Sequence, residues 1–517
     1  MHPRQLRLPH RGRDRRALRT RASGHVVVAP RDRAIARPRR HAFKALAPNG
    51  AWAVAVGCCA ILGTASAAAL GEPVYDAWAW LVWGRELAAF DLDTSSGPSW
   101  KPLAVLLTAL LSVCGAATPT LWLALVQTAW LLSLVLAGHL AFALTAQVHR
   151  RLRLAAAAFA AVSLLLLGDD ATMWTRQGAA GMSEPLAVTL SLGAATAAVA
   201  RRARLALTLG ALVALLRPEA WPLLMGYGLW VWRDEPALRP WIAAVTITVP
   251  ALWLVPDLLA SGEAPGGATR ARRRDTGMPL NQAAELLARA AAMPLTAAWP
   301  LALFGVIGAR PRGVLAARGH QDAPLALVAA AVGWILIVAV MAAAGYSGLA
   351  RYCAPAAAII GVVAAVGFAH LLALAHRRQM IAAVLLVVVA AAVPQLPARV
   401  GDLREGLADV AQSGRSNDRL RSLTRGIGRQ RLLRCGTLMT SDVRVRTALA
   451  WQLDVPLKRV VSIADPPPAP TVVVIGPDAS TGLRRAMRSS HHLLGASGEW
   501  RVYSRESSGR WCPHQTG

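Results

Sequence analysis

The chain has 517 residues, of which 55% are hydrophobic and only 16% charged, and its formal net charge is +28. A mean hydropathy of +0.40 with long apolar runs excludes an ordinary soluble enzyme and favours a helical protein that crosses the membrane several times. Much of the positive charge lies in the first fifty residues and in short arginine clusters between apolar runs. That distribution is typical of membrane topology, so we expect no nucleic-acid partner.

Residues 1–50 contain many arginines and little that could be buried, which predicts a disordered, basic cytoplasmic tail. An overlong gene start or a generic positive anchor explains the same residues, so whether 1–45 belong to the native protein stays open. The following run, 51–70, is long enough to span a bilayer, which argues against a cleavable signal peptide.

Eleven apolar runs predict about eleven transmembrane helices within a membrane domain of residues 51–397. They are 51–70, 121–146, 154–168, 183–200, 205–216, 219–232, 241–259, 294–308, 323–344, 353–374 and 381–393.

An alternating topology with the N-terminus in the cytoplasm makes the short cytoplasmic loops basic, as the positive-inside rule requires. These loops are 149–153, 201–204, 233–239, 310–318 and 376–378. The scheme holds only if the run 102–117 does not cross, so we interpret it as an interfacial or re-entrant helix. Residues 270–274, rich in arginine, remain outside, either as a topological misfit or as a site for an anionic ligand.

After residue 397 the apolar runs shorten, and residues 398–517 suffice for a small extracytoplasmic α/β domain. Strands are predicted at 431–434, 459–463, 471–475 and 500–503, and helices at 443–453 and 481–488. An oxidising exterior would favour a disulfide between Cys435 and Cys512, but sequence spacing leaves bonded and free thiols equally open.

The first long outer loop, 72–101, concentrates ionisable groups between two apolar stretches. Its charged residues include Asp76, Arg85, Glu86, Asp91, Asp93 and Lys101. Charge at a bilayer surface is costly and persists mainly where it has a function, so we expect the active site here. The loop tryptophans, Trp78, Trp80, Trp83 and Trp100, could stack on a sugar, but an aromatic belt at the membrane interface explains most of them without a ligand.

Several short motifs, in order and on one side of the membrane, resemble those of the GT-C superfamily of glycosyltransferases that use lipid-linked sugars. The motifs are Asp76 in Tyr75-Asp76-Ala77-Trp78, Asp91-Leu92-Asp93, Lys101-Pro102-Leu103 with Lys where His is common, Met182-Ser183-Glu184-Pro185, Leu216-Arg217-Pro218-Glu219, and Arg351-Tyr352. The resemblance covers about residues 51–395. It implies a GT-C-like, all-α membrane fold and transfer of a sugar from a polyprenyl-phosphate donor to a cell-envelope glycan or glycolipid.

Such a transfer requires a carboxylate that takes the proton of the acceptor hydroxyl and cationic or metal help for the departing phosphate. If the usual inverting chemistry holds, one base suffices. Asp76 is the candidate base because the preceding helix would fix it at the membrane surface; a solvated interfacial carboxylate is the alternative reading.

The remaining candidate residues each have a structural alternative. Asp91 and Asp93 could bind a divalent cation (Mg²⁺ or Mn²⁺) or the sugar, or form a turn. Asp169 and Asp170, near Arg176, could complete the site or cap a helix.

The remaining motif residues could bind substrate or merely support the fold. Arg217 and Glu219 could line a cavity or neutralise each other at a helix break. Arg351 with Tyr352, and likewise Lys101, could bind phosphate or anchor the chain at the interface. Glu184 is a further candidate substrate-binding residue, because it lies in the motif Met182-Ser183-Glu184-Pro185.

Two other functions are compatible with the sequence. A transporter or flippase of envelope precursors also carries charges between broken helices, although we see no clear internal repeat and the charges cluster on one side. A noncatalytic scaffold would use the outer domain as its binding module. In every case we expect a multi-pass plasma-membrane protein in contact with membrane lipid.

Overall fold

The computed structural model describes residues 49–168, 174–261, 279–308, 322–375, 377–434, 437–463 and 471–505. Predictions about the tail before residue 49, the arginines at 270–274, Asp169, Asp170, Cys435 and Cys512 lie outside the described residues.

Helices form almost all of the described chain before residue 396. They are α1 Asn49–Leu70, α2 Tyr75–Ala88, α3 Pro102–Leu111, α4 Thr118–Leu144, α5 Arg150–Leu165, α6 Trp174–Ala179, α7 Glu184–Val199, α8 Ala203–Ala214, α9 Trp221–Asp234, α10 Arg239–Ser261, α11 Pro279–Ala292, α12 Ala298–Gly308, α13 Ala323–Ala343, α14 Ala354–Leu374 and α15 Arg378–Ala392.

Each of the eleven predicted spans coincides with one of these helices, because long apolar runs are a strong signal even in a single sequence. Among the described residues, six helical stretches are long and apolar enough to cross a membrane, and α7, α8 and α12 are shorter apolar helices. The protein is therefore a multi-pass membrane protein, and the number of crossings remains a prediction.

Helix α14 is the centre of the bundle. It is buried over most of its length and packs against α5, α7, α12 and α13. The contact with α12 is especially close, since a Cβ at Gly367 would clash with the backbone carbonyl of Leu301. Glycine at this position lets the two helix backbones meet.

The segment after α1 folds back as a pair of packed helices, α2 and α3. Thr108 donates to the carbonyl of Trp80 at 2.7 Å. The side chains of Trp78, Trp80 and Trp83 are at most 2% exposed. The prediction of an aromatic belt was therefore wrong for these three, because α2 is covered by protein. It was also wrong for Trp100, which is 4% exposed and donates to the carbonyl of Leu252. The run 102–117 breaks before α4 in a 3₁₀ turn, Ser112–Ala117, with Gly115 at φ 55°.

The C-terminal part contains a five-stranded mixed sheet. Its helices are α16 Leu396–Ile427, α17 Arg429–Arg434, α18 Val443–Gln452 and α19 Thr481–Ser490, and its strands are β1 Thr437–Thr440, β2 Val460–Ser462, β3 Thr471–Ile475, β4 His492–Ser497 and β5 Trp500–Arg505. The strand order is β2-β1-β3-β5-β4, with β1 parallel to both neighbours and β5 antiparallel to both of its own.

The prediction of a strand at residues 431–434 was wrong, since these residues end the short helix α17 and the strand begins at Thr437. Four residues are too few for alternation to distinguish strand from helix. Helix α16 and strand β4 were not predicted. The buried positions of α16 include Val410, Asn417 and Leu420, a narrow stripe on an otherwise exposed helix.

One hydrophobic core joins this C-terminal part to α2. Leu449 and Trp500 belong to the same cluster of buried side chains as Trp78 and Trp83. The sheet and its helices therefore cover the segment that carries Asp76.

Candidate functional site

Six ionisable side chains from five separate segments meet at one end of the helix bundle, and we call them the ion cluster. They are Asp76, Lys101, Glu184, Arg217, Glu219 and Arg351. All but Asp76 had been expected to bind substrate, and Asp76 to act as base. The structure brings these predicted residues together.

Each member lies at the end of a helix, for local reasons that the sequence shows. Asp76 and Glu184 occupy the first turns of α2 and α7, where the helix dipole favours a carboxylate. Lys101 and Arg217 each precede a proline and adopt extended backbone. Arg351 lies in the 3₁₀ turn Ala350–Cys353 before α14. The contacts between these residues show that the helix ends lie on one side of the bundle.

Glu184 is the buried centre of the cluster. Its side chain is 1% exposed, and its Oε1 accepts a hydrogen bond from Arg217 and lies 3.4 Å from Nε of Arg351. A carboxylate this deep is stable only beside cations. The other oxygen, Oε2, has no hydrogen-bond partner among the described residues.

The Asp76–Arg351 pair forms the accessible edge of the cluster. Nη2 of Arg351 lies 3.4 Å from Oδ2 of Asp76, and their side chains are 23% and 21% exposed. This separation is long for a charge-assisted hydrogen bond. Each group can therefore release its partner and bind a ligand instead.

Lys101 supplies the amine of the ion cluster and is buried. Its Nζ donates to Oγ of Ser183 at 2.7 Å and lies 4.7 Å above the ring of Trp80. Burial, together with the nearby Arg217, lowers the pKa of Lys101 to about 7. The Lys101 amine therefore binds or releases its proton near neutral pH.

Tyr352 and Glu219 close the cluster on its inner side. The guanidinium of Arg217 lies 4.3 Å from the ring centre of Tyr352, and the tyrosine hydroxyl is 3.3 Å from Oγ of Ser347. Glu219 is 4% exposed, and its Oε2 has no hydrogen-bond partner in the described part of the chain.

Asp91 and Asp93 lie near the opposite end of α2 from Asp76. The backbone amide of Asp93 donates to the side chain of Glu86, and Glu86 follows Asp76 by ten positions, about 15 Å along the helix. Asp91 is exposed. Oδ2 of Asp93 is 2.7 Å from Nζ of Lys458, and its Oδ1 accepts from the backbone of Ser95 at 2.8 Å.

A divalent cation does not fit these two carboxylates as they stand, because it would have to displace Lys458 from Asp93. Nowhere in the described ranges do three or more His, Cys, Asp or Glu side chains come together in a metal-binding group. Asp91 and Asp93 therefore do not form a divalent-cation site in this arrangement.

Arg176 lies on α6, half-buried, with its side chain packed against Gly406 of α16. Its predicted neighbours Asp169 and Asp170 are outside the described residues, so a joint role of the three rests on sequence alone.

The structure adds contacts that the sequence analysis did not predict. Ser183 and Trp80 hold Lys101. Thr447 of α18 donates to the backbone carbonyl of Tyr75 at 2.9 Å, directly beside Asp76. Arg85 pairs with Asp454 at 2.8 Å. The C-terminal part thus holds both ends of α2, and no sequence signal relates residues so far apart.

An apolar cavity of about 640 Å³ lies next to the ion cluster, between α7, α8, α9, α13 and α14. Ala220 and Trp334 line it. Ala220 follows Glu219, and the indole of Trp334 donates to the carbonyl of Tyr352 at 2.9 Å. The cavity therefore reaches the inner side of the cluster.

No protein-family model matches the sequence, and no curated protein matches it either. Among solved structures, the chain is similar to ArnT from Cupriavidus metallidurans, both bound to undecaprenyl phosphate and in the apo state. In each case the TM-score is 0.50 at 16% identity, over 89% of this chain and 99% or 98% of the ArnT chain. At this identity the likeness shows the fold alone. The chain therefore has the fold of ArnT, and the fold predicted from the order of the motifs is confirmed.

Proposed function

We propose that this protein is an integral-membrane glycosyltransferase. It transfers a sugar from a polyprenyl-phosphate donor to a cell-envelope glycan or glycolipid at the outer face of the membrane, with inversion at the sugar carbon. The Asp76–Arg351 pair carries the proposal, because it sets an accessible carboxylate beside an accessible guanidinium at the edge of a buried ion cluster.

The donor class is supported by the cluster and by the cavity beside it. Arg351 is the most exposed cation of the ion cluster, and a guanidinium can bind phosphate through two parallel hydrogen bonds. The apolar cavity of about 640 Å³ suits part of a polyprenyl chain. ArnT, which shares the fold, has been crystallised with undecaprenyl phosphate.

The proposed reaction begins when the Asp76–Arg351 pair separates. The donor phosphate draws Arg351 away from Asp76, so that the carboxylate is free to meet the acceptor. The acceptor hydroxyl oxygen then attacks the anomeric carbon, the bond from that carbon to the phosphate oxygen breaks, and Asp76 takes the hydroxyl proton. Polyprenyl phosphate leaves with the electron pair, and Arg351 and protonated Lys101 stabilise its growing charge.

Replacing the base tests this proposal directly. Asp76→Asn keeps the side-chain shape but cannot take a proton, so we expect transfer to fall by at least about 100-fold, the usual contribution of a general base. The matched control is Asp409→Asn, at an exposed carboxylate of α16 outside the ion cluster.

The assay measures transfer from a radiolabelled polyprenyl-phosphate sugar to an envelope glycolipid extract in detergent, with thermal unfolding as a check on folding. Full activity of Asp76→Asn would refute the base assignment. Movement of the labelled lipid across liposomes without transfer in detergent would instead identify a transporter.

A further inference from the structure

A second cavity, of about 390 Å³, is lined by Glu72 and Trp78, and we call it the Glu72 pocket. It is formed where the end of α1 and the start of α4 meet α16 and α18. None of the ion-cluster residues lines it. The side chains that could recognise a ligand are Glu72, Trp78, Arg421, Arg425, Trp451 and Gln452.

Two indole rings form the aromatic part of the pocket. The ring centres of Trp78 and Trp451 are 6.1 Å apart, with their planes inclined by 38°. Trp78 is buried, whereas Trp451 is half-buried. The partly exposed ring of Trp451 provides apolar area that a sugar can cover with its C–H groups, and the buried ring of Trp78 packs against it.

Polar groups beside the rings are incompletely satisfied. Oε1 of Glu72 accepts from Nδ2 of Asn417 at 2.7 Å, and Nε2 of Gln452 reaches the carbonyl of Asn417 at 3.4 Å. Oε1 of Gln452 is buried without a hydrogen-bond partner in the described part of the chain. Burial raises the pKa of Glu72. A buried acceptor left unpaired is costly and points to a hydroxyl-bearing ligand.

The pocket also carries a pair of like charges. Arg421 and Arg425 are four residues apart on α16, a spacing at which two cations face the same side and repel each other. Arg421 lies 3.5 Å from the largely exposed Asp418, and its charge also acts on the carboxyl group of Glu72. An anion bound between the two guanidinium groups would remove this repulsion.

We propose that the Glu72 pocket binds an anionic saccharide and that this saccharide is part of the acceptor. The acceptor role rests on the proposed function, whereas the binding itself does not. Glu72 and Trp78 lie four residues before and two residues after Asp76, so the pocket is built on the same segment as the proposed base. An acceptor held there is anchored close to the start of α2.

The test is saturation-transfer NMR on the full chain carrying Asp76→Asn, in phosphatidylcholine nanodiscs, with glucose 6-phosphate as the probe. Glucose and inorganic phosphate are the comparison probes. We expect glucose 6-phosphate to bind more tightly than either, and Arg421→Gln/Arg425→Gln to weaken it about tenfold or more. Gln452→Met should weaken glucose and glucose 6-phosphate alike.

The matched control is Arg404→Gln/Arg415→Gln, which removes two exposed arginines of the same helix outside the pocket and should bind like the parent. Equal binding by the two double variants would overturn the proposal. So would inorganic phosphate binding as well as glucose 6-phosphate, or loss of the signal when the nanodiscs contain phosphatidylglycerol, since either result would mean a phosphate or lipid-headgroup site.

Because the chain used for binding cannot catalyse transfer, this result is independent of the activity assay. The acceptor role is then tested separately: in the otherwise native chain, Arg421→Gln/Arg425→Gln should raise KM for the acceptor about tenfold and leave KM for the donor unchanged. An unchanged acceptor KM would overturn that role.

Discussion

Asp76 and Arg351 are 275 positions apart in the sequence, yet Oδ2 of the aspartate lies 3.4 Å from Nη2 of the arginine. The pair joins the start of α2 to the turn before α14, and both side chains remain partly exposed. In the proposed mechanism, a phosphate that binds the guanidinium would release the carboxylate.

Removing the guanidinium should therefore affect the donor most strongly. For Arg351→Ala we expect kcat/KM for the donor to fall by about 100-fold, whereas Arg351→Lys should recover part of the loss because it restores charge without the two-pronged grip. Steady-state kinetics with varied donor would show this. Arg289→Ala, at an exposed pair with Glu285, is the control. A loss confined to KM for the acceptor would contradict the assignment.

Lys101 should make donor binding depend on pH. Its pKa of about 7 in the free protein means that the ammonium is charged below and neutral above that pH. A bound phosphate favours the charged form, so affinity attributable to Lys101 should weaken as pH rises from 6 to 8.5. The measurement is the Kd for polyprenyl phosphate in the parent and in Lys101→Met, whose ratio cancels the titration of the ligand. A ratio that does not change with pH would contradict this role.

Glu184 should be essential for stability as well as activity. Glu184→Gln leaves Arg217, only 4% exposed, without its hydrogen-bonded counter-ion, and loss of one partner of a buried pair costs about 3–5 kcal/mol. We expect a clear drop in thermal midpoint. Glu184→Gln/Arg217→Met should recover part of it, since neither charge of the pair is then buried. The exposed Glu285→Gln should change stability little. Equal midpoints for the single and double variants would argue against a destabilising buried charge.

Glu86 should make the fold less stable as pH rises. Its side chain accepts from the backbone of Asp93 at 3.1 Å and of Leu457 at 3.3 Å, and burial raises its pKa from 4.5 to about 7. Between these values the folded chain binds more protons than the unfolded chain, so the free energy of unfolding falls across this window and levels off above it.

The check is the thermal midpoint between pH 4.5 and 8 for the parent and for Glu86→Gln. The variant should lack the Glu86 contribution to the fall, although its midpoint at acidic pH should be lower, because an amide offers only one acceptor oxygen where the carboxyl met two backbone amides. Glu405→Gln, at an exposed position, should follow the parent. Parallel curves for Glu86→Gln and the parent would exclude Glu86 as the titrating group.

The positions of the helices could be predicted from the sequence, but the burial of the α2 tryptophans could not. Apolar runs mark helices locally, and every predicted span coincides with one. Trp78, Trp80 and Trp83 gave the pattern of an interfacial belt, but they are buried because the sheet and α18, more than 350 residues later, pack onto α2. Asp93 is similar. Its sequence context suggested a metal site or a turn, and only the fold shows that it pairs with Lys458.

By itself the sequence determined that the chain is a multi-pass helical membrane protein, and its motif order indicated a GT-C fold with ionisable residues at helix ends on one side. These properties follow from hydrophobicity and from proline and charge placed at helix termini, which act over a few residues. Only the tertiary structure decided which charges meet. Pairing of Asp76 with Arg351 and of Glu184 with Arg217 depends on helices from distant parts of the chain packing to within hydrogen-bond distance, and no local pattern encodes that distance.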